Sequence, residues 1–157
     1  MDESSDRTGD DASLVALAIA EAKLAVPHDD VPIGALVVSA TGEVLASRHN
    51  ERELRNDPTA HAEVLALRDA AERVGDWRLL DATLVVTLEP CAMCAGAALS
   101  ARVGRVLFGA WDQKAGACGS LYNLGADPRL NHEYTIVGGV EAEACSLLLT
   151  DFFASRR

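Results

Sequence analysis

Four residues in this sequence have the types and spacing to do metal-assisted chemistry. They are His61 and Glu63 in His61-Ala62-Glu63, and Cys91 and Cys94 in Pro90-Cys91-Ala92-Met93-Cys94. Cysteines three apart at the start of a helix place both sulfurs on one face of the first turn. The unpaired N–H groups and the positive end of the helix dipole stabilise thiolates there, and thiolates bind zinc. His61 and Glu63 are two apart and do not share a helix side. At the start of a helix, however, both can point off its end toward one spot, with His61 supplying a neutral nitrogen and Glu63 staying near without coordinating. Three protein ligands and an open position are the pattern of catalytic zinc, whereas structural zinc is closed by four. Such a site lowers the pKa of bound water toward about 7, so hydrolysis is the expected chemistry.

Other readings of the cysteines stay open at this point. A C-x-x-C pair can be a redox couple, although a redox couple has no use for a companion H-x-E. Cys118 or Cys145 as a fourth ligand would make the site structural and the chain a binding module. Cys145 sits among Ala144, Leu147, Leu148 and Leu149 and reads as a core thiol. Cys118 lies in a glycine-rich loop.

The elements that must position these residues follow from periodicity and turn signals. Ala12 to Val26 reads as a helix ended by Pro27. Pro32 to Val38 and Glu43 to Ser47 form a hairpin around Thr41-Gly42. A helix runs from His61 to Val74, stopped by Gly75, with Asp69/Arg73 and Arg68/Glu72 as i,i+4 pairs. Ala82 to Leu88 is a near-continuous apolar strand of the kind covered on both faces. Pro90 ends it and opens a helix from Cys91 to Arg102. Val103 to Phe108 is a strand, residues 111–133 are a long irregular loop, Tyr134 to Val137 is a short strand, and Val140 to Phe153 is a last helix. The alternation predicts a layered α/β domain with helices on both faces of the sheet.

With 157 residues the chain fits one domain, taken as 12–157, behind an acidic and disordered tail over 1–11 that holds Asp2, Glu3, Asp6, Asp10 and Asp11 against Arg7. No apolar run reaches the roughly 20 residues of a spanning helix, and the N-terminus is not a secretory signal, so a cytoplasmic soluble protein is expected. The net charge of -10 speaks against a non-specific nucleic-acid binder. Any phosphate contacts would fall to local bases: Arg48, Arg52, Arg55, Lys114, Arg129, Arg156 and Arg157.

H-x-E followed by P-C-x-x-C resembles the signature of the zinc-dependent cytidine/deoxycytidylate deaminase superfamily. Further blocks resemble the bacterial tRNA-specific adenosine deaminases in particular. They are Val31-Pro32-Ile33-Gly34-Ala35, Asp57 to Glu63, Thr87 to Ala97, Gly119-Ser120-Leu121, Asn131-His132 and Asp151-Phe152-Phe153. The resemblance implies a three-layer α/β/α cytidine-deaminase-like fold with a central mixed five-stranded sheet, one zinc per subunit and a homodimer. It implies deamination of the wobble adenosine of an arginine tRNA anticodon to inosine, with no membrane or DNA partner. It assigns His61, Cys91 and Cys94 to the metal and proton shuttling to Glu63, as zinc-activated water adds to adenine C6. Asn50 matches a contact to the flipped base, Asp112 falls in an RNA-contacting loop, and Phe153 lies in a segment near the anticodon nucleotides. Trp111 reads equally as a base-stacking residue or a dimer contact. The rival readings are a deaminase of free guanine, cytosine or a nucleoside, and a non-catalytic zinc module that binds RNA.

Overall fold

The computed structural model describes residues 3–156, with side chains from residue 10 onward. Five strands, β1 (Gly34–Val38), β2 (Val44–His49), β3 (Thr83–Leu88), β4 (Arg105–Ala110) and β5 (Thr135–Val137), form one sheet in the order β2-β1-β3-β4-β5. β1 runs antiparallel to β2 and β3, while β3, β4 and β5 run parallel. The sheet is therefore mixed and five-stranded, as expected.

The helices are α1 (Glu3–Ala22), the short α2 (Arg52–Arg55), α3 (Ala62–Val74), α4 (Ala92–Ser100) and α5 (Ala142–Ala154). Side-chain alternation along the strands divides the core in two. Ala35, Val37, Leu84, Val86, Val106 and Phe108 pack with Ala62, Ala66 and Ala70 of α3 and Ala95 and Ala98 of α4. Their neighbours Leu36, Val38, Val85 and Leu107 pack with Val15 and Ala18 of α1 and Cys145 of α5. Each fully buried Leu or Val contributes about 1.5–3 kcal/mol, so both layers are strongly held. The result is the three-layer α/β/α arrangement. α1 comes so close to β1 that a Cβ on Gly34 would stand 2.0 Å from the Ala18 carbonyl oxygen, which leaves only glycine there.

Several local expectations change. α1 begins at Glu3, well ahead of Ala12, while Met1 and Asp2 of the expected tail lie outside the described residues. Asp11 belongs to the folded body: it is 7% exposed and pairs with Arg105 on β4 at 3.0 Å. The pair expected between Asp69 and Arg73 gives way to longer-range partners. Arg73 reaches Glu43 at 2.7 Å and the Val44 carbonyl at 3.0 Å, and Asp69 takes Arg48 at 2.8 Å. α3 lies against the β1–β2 hairpin, so these side chains find better partners across the layer than along the helix. Among the described residues no helix is long and apolar enough to cross a membrane.

Candidate active site

α3 and α4 both start at one end of the sheet, α4 directly after the C-terminal end of β3. His61 is the N-cap of α3 and Cys91 the N-cap of α4, both with extended backbone and neither with a side-chain capping bond. Each helix thus starts one residue later than its sequence suggested. The shift leaves the His61 and Cys91 side chains free to point off the helix ends, with Glu63 and Cys94 in the first turns behind them. Two positive helix ends converge on the same space, which favours anionic sulfur there.

Nδ1 of His61 lies 3.7 Å from Sγ of Cys91 and 3.4 Å from Sγ of Cys94. All three donor atoms fall within 4.8 Å of one another, and this is the group among the described residues that could hold a metal ion. Hydrogen bonding from the Cys94 thiol draws the Cys91 thiol down to about 4 and, reciprocally, pushes the Cys94 thiol up. Hydrogen bonding to Cys91 raises the His61 imidazole. The pair readily carries negative charge on Cys91. Glu63 is 4% exposed and outside the three-donor group, and burial raises its carboxyl above the usual range.

Cys118 does not join the group. It is buried, with Sγ 3.7 Å from the Tyr134 hydroxyl, and burial pushes its thiol up to about 11. Cys145 is a core thiol, as its neighbours in the sequence suggested.

Asn50 is 5% exposed, donates to the Val31 carbonyl at 3.3 Å and accepts from the Arg52 amide at 3.1 Å. Its side chain is thereby tied into the loop that leads to His61. Asp112 follows β4, its side chain accepting from the Lys114 and Ala115 amides. Phe153 is half exposed at the end of α5, edge-on to Phe152. Arg156, just beyond, binds Asp29 at 2.6 Å and so ties that end of α5 to the loop before β1. Trp111 is half exposed and T-stacked on Phe108 with centroids 4.8 Å apart.

Most of the expected phosphate-binding bases are already engaged. Arg48 and Arg55 hold Glu51, Arg129 holds Asp127 and Arg156 holds Asp29. Lys114 has no ion pair among the described residues, Arg52 only a 3.5 Å contact with Glu53, and Arg157 lies outside the described residues.

Two carboxylates escaped the sequence reading. Asp30 is fully buried and accepts from the amides of Glu53 (2.6 Å) and Leu54 (3.0 Å), anchoring α2 from outside. Glu89 is buried at the end of β3, two residues before Cys91, and holds the loop after β4. Its signal was a lone acid between Leu88 and Pro90, at the end of a strand that is otherwise apolar.

The family model for MafB19-like deaminases matches residues 9–157. The tRNA-specific adenosine deaminase of Bacillus subtilis is 49% identical over 140 residues, covering 89% of this chain and 86% of the relative. This chain belongs to the tRNA-specific adenosine deaminase family. The Haemophilus influenzae member is 41% identical over 157 residues, covering all of this chain and 91% of its own. A solved structure from work on A-to-I editing by tRNA:A34 deaminases at the wobble position of transfer RNA superposes with a TM-score of 0.83 at 40% identity. It covers 87% of this chain and 99% of that one. In this deaminase His61, Cys91 and Cys94, which could hold a metal ion, come together from the starts of two separate helices.

Proposed function

We propose that this chain deaminates the wobble adenosine of an arginine tRNA anticodon to inosine, using zinc held by His61, Cys91 and Cys94. The observation that carries the chemistry is a buried Glu63 beside, but outside, a three-donor group. A tetrahedral zinc with one nitrogen and two sulfur ligands has N···S edges of about 3.5–3.6 Å, close to the 3.4 and 3.7 Å found here. Support for the substrate comes from the relatives, which are named for tRNA adenosine.

Zinc bound there supplies Lewis acidity that makes water a nucleophile near neutral pH. Glu63 takes a proton from the attacking water and delivers it to adenine N1, which makes C6 electrophilic. Once the C6–O bond has formed, Glu63 takes the second proton from the hydroxyl added at C6 and passes it to the N6 amino group, so that the C6–N6 bond breaks and ammonia leaves. A carboxyl raised by burial suits this two-way transfer, because its pKa lies nearer the working pH. Asn50 and Asp112 contact the flipped base and its loop, and Phe153 flanks the neighbouring nucleotides. An unpaired anticodon base leaves its stack at low cost.

The active form is a homodimer in this reading. Met93, between the two ligand cysteines, and Leu121 and Tyr122, just after the glycine-rich turn, are exposed apolar surface that a second copy would cover.

The test is nucleoside analysis of an arginine anticodon stem-loop after incubation with the zinc-loaded protein. Inosine at the wobble position is expected; unchanged adenosine refutes the proposal.

A further inference from the structure

Glu89 is 2% exposed and has no cationic partner among the described residues. Its carboxylate accepts from the backbone amides of Asp112 (2.9 Å), Cys118 (3.1 Å) and Ser120 (2.9 Å), and from the Ser120 hydroxyl. All these donors come from one stretch, residues 112–120. The same stretch is stitched to the ligand corner by the Ala117 amide, which donates to the Pro90 carbonyl at 2.8 Å, and by a bridge between Cys91 and Gly116. Gly116 passes so close that a Cβ there would stand 2.3 Å from the Glu89 carboxylate.

A buried carboxylate without a cation needs a full set of donors. Here the loop supplies them, and only in the one shape in which all of them converge. Charge and loop conformation therefore depend on each other. Glutamine cannot replace glutamate without loss, because its NH2 group would face N–H or O–H donors. Aspartate has the acceptors but is one methylene too short.

We infer that Glu89 is a positioning residue: it fixes the loop bearing Asp112 in register with Cys91, so that the substrate-contacting wall and the metal corner keep one spacing. The inference rests on the proposed role of Asp112 in contacting RNA. Glu89 itself touches no substrate and acts through the loop.

Hydrogen exchange and steady-state kinetics on zinc-loaded protein test it together. In Glu89→Gln, amides of residues 112–120 should exchange at least 10-fold faster, while those of α3 and α4 and the zinc content stay unchanged. KM for the stem-loop should rise at least 10-fold with kcat within about threefold of wild type. Asp112→Ala should also raise KM, and the double variant should show no further rise, because both changes remove the same wall. Unchanged loop exchange, loss of zinc, or KM effects that multiply in the double variant overturn the inference. If Glu89→Gln does not fold, Ser120→Ala removes the hydroxyl contact alone and leaves the three backbone amides in place; it should move loop exchange and KM in the same direction, and no change in either overturns it. If the wild type leaves the stem-loop unconverted, the substrate assignment has failed, and the exchange result alone decides whether Glu89 latches the loop.

Discussion

His61 and Cys94 stand 33 positions apart in the chain, yet Nδ1 of one lies 3.4 Å from Sγ of the other. Neither is brought there by its own element alone. α3 crosses over from β2, α4 follows β3, and both start at the same end of the sheet. The three-donor group exists only where these two helix starts coincide. Removing one donor should therefore empty the site without unfolding the three layers. Cys94→Ala should lose zinc by elemental analysis while keeping its far-ultraviolet circular dichroism, and Cys118→Ala should keep full zinc. Full occupancy in Cys94→Ala would mean that another residue completes the site.

Glu63 is buried beside the donors without being one of them. Glu63→Gln should retain zinc and stem-loop affinity while kcat falls by about 10²–10⁴-fold, the range of a lost general acid–base. A variant that kept wild-type kcat would remove Glu63 from the proton path.

Asp30 carries a structural load of its own. Its buried carboxylate meets two amides at the start of α2 and His28 Nδ1 at 2.7 Å. Asp30→Ala strands those donors and should cost about 2–4 kcal/mol in urea unfolding. A loss below about 0.5 kcal/mol would show that α2 holds without it.

Glu51 sets a pH dependence away from the metal. Burial works to raise its carboxyl, but hydrogen bonds and charge from Arg55 and Arg48 outweigh burial and hold it below the usual carboxylate range. A carboxyl lowered by folding stabilises the protein fully above its unfolded pKa, and that stability is lost as pH falls through the folded value. Glu51→Gln should thus be less stable than wild type at pH 7, and the gap should shrink steadily below about pH 4.5. A gap that is constant from pH 7 to 3 would contradict the assignment.

The succession of strands and helices was legible because it rests on local signals, apolar alternation and turn residues, whereas the mixed five-stranded sheet followed from the family resemblance; the spacing of His61, Cys91 and Cys94 marked out the group that could hold a metal. α2 was not, since a four-residue helix has no periodicity and is held by Asp30 from a different loop. The partners of Asp69 and Arg73 were missed for a similar reason. Spacing along a helix says nothing of a hairpin packed beside it. Glu89 was visible only as an acid at the end of an apolar strand, with every donor it uses 23–31 positions downstream. The boundary of the N-terminal tail also depended on a distant residue, Arg105, which draws Asp11 into the fold.

The three-donor group with Glu63 beside it does not choose a substrate, because the proposed hydrolytic deamination would use the same donors and the same acid on adenine, guanine or cytosine. Steady-state rates on an arginine anticodon stem-loop, set beside rates on free adenosine, guanine and cytidine, make that choice. Inosine at the wobble position with a kcat/KM at least 10³-fold above that for any free base or nucleoside is the expected result. Turnover of free guanine or cytidine with no inosine in the stem-loop would contradict it.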